Sequence, residues 1–308
     1  MTGSKDPRLS NWLKLLVKSL LEHRTTMPVS HSRFQEILRD YRPLEFEVLE
    51  RQEFYRLSMH HALKNRSRLW LSLRTTSCYF PEHPFTIVDL GTYPGSLLRF
   101  LRRILSPDRC RLIGVGLMIS DEFTQAIEKD CSAEIHRVNL DPRSEQMARK
   151  GDPTRIPIDD GKADLVFALE IIEHLVSPSH LLAEAFRILA PGGHLLITTP
   201  NVARIGNVLK LMVGRSNFDR LVPIDYEHPE DEWRPHFREY TLSEIETFLQ
   251  GVGFEVVESR HFLGHDTRYN IKSPAQRIID CVKLPFYAIP HFRTNLLVLG
   301  RKPERNGD

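Results

Sequence analysis

The stretch Thr86-Ile-Val-Asp-Leu-Gly-Thr-Tyr-Pro-Gly-Ser-Leu-Leu-Arg-Phe-Leu-Arg-Arg-Ile-Leu105 decides the fold. Ile87 to Leu90 is a short apolar segment of the β-branched character expected of a strand buried on both faces. It stops at Gly91, and Gly95 opens a helical pattern. Leu97, Leu98, Leu101, Ile104 and Leu105 fall on one face of that helix, and Arg99, Arg102 and Arg103 on the other. The reading is strand, tight turn, helix, with the turn facing outward at the carboxyl end of a parallel strand. Open α/β sheets bind ligands there, because glycines admit close backbone approach and the first helix amides are free to donate. The turn by itself leaves a dinucleotide, an adenosyl cofactor and a purely structural bend equally open.

Downstream the same alternation repeats. Strands are predicted at Arg111 to Val115, Ala133 to Leu140, Ala163 to Leu169 and His194 to Thr199, with helices at Phe123 to Lys129 and from Ser177 and Pro178 onward. Pro191-Gly192-Gly193 ends the second of these helices. Thr241-Leu-Ser-Glu244 is a capping box that opens another helix, followed by strands at Phe254 to Glu258 and Asn295 to Gly300. This order predicts an α/β fold with helices on both faces of a mostly parallel sheet.

Upstream, Asn11 to His23 carries an amphipathic pattern with Lys14 and Lys18 on its polar side. It fits a membrane-surface helix, or a helix packed on the core or on a second subunit. The divisions expected are a helical N-terminal extension over 1–83, a cofactor-binding core over 84–200, a substrate cap over 201–240, and completion of the core sheet over 241–308. A long connection over 261–294 is expected to serve as a substrate wall or docking surface.

Composition sets the outer limits. The 308 residues carry 42 basic and 40 acidic side chains, a net charge of +2 that argues against a nucleic-acid binder held mainly by charge. The four cysteines, Cys78, Cys110, Cys131 and Cys281, lie far apart with no Cys-x-x-Cys pair, which fits a reducing cytoplasm. No apolar run reaches the roughly 18 to 20 residues needed to span a bilayer, and no secretory leader pattern is seen. The expected location is cytoplasmic, with contact to the inner face of the membrane left open.

Four motifs in order carry a family resemblance: Val88-Asp-Leu-Gly91 with Gly95; Ala163-Asp-Leu-Val-Phe-Ala-Leu-Glu-Ile-Ile-Glu-His-Leu175; Leu189-Ala-Pro-Gly-Gly193; and Ile197-Thr-Thr-Pro-Asn201. Together they resemble the class I S-adenosylmethionine-dependent methyltransferases. The resemblance implies a Rossmann-like seven-stranded sheet with an antiparallel last strand, and S-adenosylmethionine as cofactor. It places Asp89, Gly91, Tyr93 and Gly95 around the methionine and ribose, Asn139, Leu140 and Asp141 by the adenine, and Leu169 and Glu170 at the sulfonium. Two positions depart from the family pattern: Tyr93-Pro94 stands inside the glycine turn, and Gly116 stands where an acid usually holds the ribose.

Glu170, Glu173 and His174 project toward the reactive end of the expected cofactor site, and His236 lies five residues before the capping Thr241. This Glu-x-x-Glu-His element with a later His is similar to the metal site of small-RNA 3′-end 2′-O-methyltransferases. Its first part also resembles ubiquinone-pathway O-methyltransferases. Glu170, Glu173, His174 and His236 could hold Mg²⁺ or Mn²⁺. Alternatively His236, with His174 and Glu173, serves as a metal-free base, or these residues are structural. The segment from Thr199 to Thr241 and the closing run at 296–303 resemble bacterial methyltransferases encoded with cell-surface glycan enzymes. A small-molecule or glycan hydroxyl is the expected acceptor, with RNA ends, quinones and a non-catalytic binding module as alternatives. Oligomeric state, including a homodimer, is left open.

Overall fold

In the computed structural model, residues 29–42, 62–63, 65–117, 119–142, 153–217, 236–264 and 280–304 are described. Seven strands form one sheet: β1 (Phe85–Leu90), β2 (Cys110–Gly116), β3 (Ala133–Arg137), β4 (Ala163–Leu169), β5 (Leu189–Pro200), β6 (Glu255–Phe262) and β7 (Asn295–Arg301). Their spatial order is β3-β2-β1-β4-β5-β7-β6. β1 to β5 pair in parallel, while β7 inserts antiparallel between β5 and β6. The architecture is therefore the Rossmann-like sheet expected from the sequence. The chain reverses its direction of travel between β1 and β4, which leaves a crevice outside the carboxyl ends of these two neighbours.

Period two along β1 explains why its residues read as an unbroken apolar run. Phe85 and Ile87 enter one core layer, and Val88 and Leu90 enter the other. The first layer is closed by α1 (His31–Arg39), α2 (Arg66–Thr76), α3 (Ser96–Ile104) and α4 (Asp121–Cys131). The second is closed by α5 (Pro178–Ile188) and α7 (Leu242–Val252), while α6 (Ile205–Met212) leaves the end of β5. α7 starts on the expected capping box: Thr241 Oγ1 accepts from the Glu244 amide, and the Glu244 carboxylate accepts from the Thr241 amide at 2.8 Å.

One face was misassigned by periodicity alone. Arg99 is buried, because α1 and Tyr41 cover the side of α3 that the sequence marks as polar. Its guanidinium donates to Asp130 Oδ2 at 2.9 Å and to the Arg42 carbonyl at 2.6 Å, and it lies 4.4 Å from the centre of the Tyr41 ring. Phe34 of α1 stacks on Phe100 at 5.0 Å. Complete burial of an aromatic of this size contributes about 1.5–3 kcal/mol, so the N-terminal extension is held to the sheet domain by core packing. The helix expected at Asn11 to His23 lies outside the described residues, as does most of the helical stretch expected between Glu45 and Leu73.

Candidate active site

β1 ends in the glycine elbow. Gly91 and Gly95 both adopt φ +80°, and the Tyr93–Pro94 peptide between them is cis. A Cβ on Gly95 would lie 2.3 Å from Ile127 Cδ1, so packing as well as backbone conformation demands glycine there. Gly95 is also the N-cap of α3 and supplies no side chain to it, leaving the first amides of that helix without a side-chain cap. Tyr93 is 42% exposed, with its ring 5.3 Å from that of Phe123, so it stands out of the core rather than packing into it. Gly116 closes β2 beside the elbow: a Cβ there would lie 3.9 Å from the Thr92 amide nitrogen. The acids nearest to it in sequence, Asp121 and Glu122, open α4.

Asp89 is buried, and burial pushes its carboxyl up to about 7, against the opposing pull of Thr92 and the Arg68 guanidinium. Arg68 reaches the carboxyl ends of the strands from α2, and sequence reasoning did not single it out. Its Nη1 lies 3.1 Å from Glu170 Oε2. Asn295, the first residue of β7, donates from Nδ2 to both Glu170 oxygens at 3.2 Å. Glu170 carries a left-handed φ of +54°, a conformation that costs a non-glycine residue about 1–2 kcal/mol, and its amide donates to the Thr198 carbonyl at 2.8 Å. Three buried atoms around this group have no hydrogen-bond partner among the described residues: Arg68 Nε, Thr198 Oγ1 and Asn295 Oδ1.

Glu173 is 0% exposed. Its Oε2 accepts from Thr199 Oγ1 at 2.9 Å, while Oε1 has no hydrogen-bond partner among the described residues and lies 3.9 Å from His174 Nε2. Burial pushes this carboxyl well above the usual range, and repulsion from Glu170 adds to the shift. The Glu173 carbonyl accepts from the amides of Phe237 and Arg238 at 2.7 and 3.1 Å, which fixes the chain at His236. The rings of His174 and His236 then meet edge to face at 4.9 Å. One ligand-type atom from each of Glu173, His174 and His236 lies within 4.8 Å of the others. Glu170, expected in the same metal set, is not part of this cluster, because Arg68 and Asn295 engage its carboxylate.

His236 is anchored from behind. Its Nδ1 lies 3.1 Å from Glu239 Oε1, and Glu239 Oε2 accepts from Arg204 at 2.5 Å and from Asn207 at 2.8 Å. Burial would raise the Glu239 carboxyl, but the bonds from His236, Arg204 and Asn207 outweigh it and hold it below the usual range. An anionic Glu239 favours the proton on Nδ1 of His236, leaving Nε2 free to accept one. Glu239, Arg204 and Asn207 enter the site through α6 and the loop before α7.

The predicted adenine-side residues sit beyond β3, which ends at Arg137. Asn139 Oδ1 accepts from the Asp141 amide at 3.0 Å, and the Asp141 carboxylate accepts from the amides of Val176 and Ser177 at 2.8 and 3.2 Å. Asp141 thus ties this loop to the start of α5. Leu140 is buried in the second core layer, and Leu169 is the last residue of β4. Of the mixed charged and aromatic residues expected to form the substrate cap, 218–235 lie outside the described residues.

A family model described as a methyltransferase domain matches residues 49–259. The chain belongs to this family. It is 29% identical over 111 residues to a Mycolicibacterium smegmatis protein named as a probable S-adenosylmethionine-dependent methyltransferase, covering 36% of each chain. It is 25% identical over 209 residues to a ubiquinone biosynthesis O-methyltransferase of Cupriavidus pinatubonensis, covering 63% of this chain and 74% of the relative. The chain spans between 30% and 44% of the length of three of its curated relatives. Among solved structures, a chain from the complex of the Haloferax volcanii Trm112 methyltransferase activator with a methyltransferase superposes with a TM-score of 0.50. That match is 20% identical and covers 79% of this chain and 92% of the other, a likeness of fold alone.

Proposed function

We propose that this chain is an S-adenosylmethionine-dependent O-methyltransferase whose acceptor is a hydroxyl of a sugar or glycolipid. The observation that carries the reading is the cluster of buried Glu173 with half-buried His174 and His236, backed by Glu239, at the same sheet end as the glycine elbow. The elbow suits the cofactor: α3 has no side-chain cap on its first amides, and Arg68 Nε, Thr198 Oγ1 and Asn295 Oδ1 have no partner among the described residues at the adjoining strand ends.

The cofactor supplies, when bound, an electrophilic methyl group on a sulfonium. The work left to the protein is orientation and removal of one proton. With the cofactor bound, His236 Nε2 would be the group that takes the acceptor hydroxyl's proton. Glu239 stabilises the resulting imidazolium through Nδ1. Glu173, His174 and His236 also suit a divalent cation, since Glu173 Oε1 has no partner among the described residues and a cation would offset the cost of burying that carboxylate. Such an ion would acidify the acceptor hydroxyl. The two roles exclude each other at His236: Nε2 is the proton acceptor when no cation is held there, and would be a ligand when one is.

A quinol acceptor is the second reading, supported by the match to the ubiquinone-pathway relative. Labelled methyl transfer to a panel of nucleotide sugars, glycolipids, quinols and RNA oligonucleotides separates the readings. His236→Ala and Glu173→Gln should each lower transfer at least about a hundredfold, while adenosylhomocysteine binding by calorimetry is retained. Loss of binding together with transfer would place these residues in the cofactor site instead, and no binding heat in the wild type would leave only a non-catalytic scaffold.

A further inference from the structure

α6 leaves the sheet at the rim of the candidate site and runs outward. Its first turn is anchored: Arg204 and Asn207 bind Glu239, and Ile205 is buried. Its far end is not. Leu211, Met212 and Val213 are 56%, 77% and 69% exposed, between exposed Lys210 and Arg215. Three consecutive large apolar side chains left open on one helix end differ from the scattered single exposures normal on a soluble surface.

A second apolar edge lies alongside. The segment 280–293 is bound to the base of α6, with Asn201 Nδ2 donating to the carbonyls of His291 and Arg293 at 2.7 and 2.8 Å. A Cβ on Gly206 would lie 3.7 Å from Lys283 Nζ. Flanking Lys283, Val282 and Leu284 are 54% and 67% exposed. From Gly206 to Val213 the helix makes about two turns and rises about 10.5 Å, so Val213 projects from the same face as Gly206, the face that meets Lys283. Lys210, Arg215, Lys283 and Arg293 stand in these two segments against a single acid, Asp280, which lies 3.9 Å from Lys283.

We propose that this cationic apolar edge docks on an anionic lipid bilayer. Leu211, Met212, Val213 and Leu284 enter the headgroup boundary, and Lys210 and Arg215 meet the lipid phosphates. Apolar side chains flanked by cations, with no acid between 205 and 217, match the chemistry of such a surface. The same edge, through Arg204 and Glu239, leads to His236, so docking presents the candidate acceptor site to the membrane. The proposal stands independently of the catalytic reading.

Co-sedimentation of the full chain with vesicles tests it, using phosphatidylcholine alone or with about a third phosphatidylglycerol. Wild type should bind the mixed vesicles, and raised salt should weaken binding. Each cation near an anionic surface raises partitioning roughly fivefold, so K210Q/R215Q should bind roughly 25-fold more weakly. The uncharged variant L211S/M212S/V213S should lose at least about tenfold while melting at the wild-type temperature. Residues 11–23 are intact in every variant, so these losses report on α6. Absence of binding by the wild type, or undiminished binding by the serine variant, overturns the proposal. So does a dimer in sedimentation velocity that the serine variant abolishes without any vesicle binding, which would assign the edge to a second copy. Adenosylhomocysteine calorimetry on the wild type is read separately, so either idea can fail alone.

Discussion

Replacing Asp89 by asparagine should change how stability depends on pH. The carboxyl lies inside the sheet, opposite Gly114 on one side and Phe167 on the other, and burial pushes it from an ordinary 3.8 up to about 7. Between these values the native chain holds a proton that the unfolded chain has released, so wild-type stability falls as pH rises through the window. A shift of about three units corresponds to about 4 kcal/mol at 1.36 kcal/mol per unit. The penalty is absent below pH 4 and complete above about pH 8. Asp89→Asn cannot ionise and escapes it. Urea unfolding of both proteins at intervals from pH 4 to 8 measures the difference. Subtracting one curve from the other cancels every group they share, including Glu173, which contributes with the same sign. The variant should gain on the wild type by up to about 4 kcal/mol toward pH 8 and show no gain at pH 4. Parallel curves would show that Asp89 is ionised at little cost in the fold, and that its environment is more polar than its burial implies.

Two further outcomes follow from buried charge. Arg68→Met leaves Glu170 without its ion partner at a nearly enclosed site, and breaking such a pair typically costs about 3–5 kcal/mol. The same change removes a restraint on Asp89, so its transition measured by urea unfolding should move further above 7; an unchanged midpoint and pH profile would mean that the pair is solvated. His194, whose ring lies tilted against that of Tyr79 at 4.1 Å, is pushed down to about 4 by burial, with Arg301 adding to the effect. Its contribution to stability is complete above pH 6.5 and is lost as pH falls toward 4. His194→Gln should therefore flatten the acid limb of the stability curve, read as a smaller gap between unfolding midpoints at pH 5 and pH 7.5 than in the wild type.

The parts of the fold that were legible are those where a local pattern and the tertiary environment agree. β1, β2 and β4 are buried on both faces, so each shows as an apolar run ending where the backbone turns. The capping box at Thr241 and Glu244 is likewise a local device and forms as written. Elsewhere tertiary bonds moved the boundaries. β3 stops at Arg137 because, after Val138 makes the last rung to the Gly116 carbonyl, Asn139 donates instead to that of Pro153 and leaves the ladder. β6 runs on to Phe262 because β7 pairs with it along its length, although its edge position weakens the apolar signal. Arg99 could not be placed from the helix alone, since what buries it is a separate helix about sixty residues earlier in the chain.

The candidate site divides in the same way. Glu173 and His174 adjoin in sequence and are visible there, and His236 was reachable through its place before the capping box. Arg68 and Asn295 left no comparable trace: one lies on a helix that buries polar and apolar residues alike, the other opens a strand 125 residues after Glu170. Yet these two determine the division of labour between the two glutamates. Arg68 and Asn295 supply Glu170 with a cation and an amide, so its charge is compensated and its carboxylate is occupied. Glu173 accepts from the Thr199 hydroxyl, and its other oxygen has no hydrogen-bond partner among the described residues. Two carboxylates three residues apart on one turn therefore differ in their surroundings, one tied to α2 and β7 and the other left with an oxygen that no described residue engages. Exchanging their roles would require moving Arg68, and with it α2.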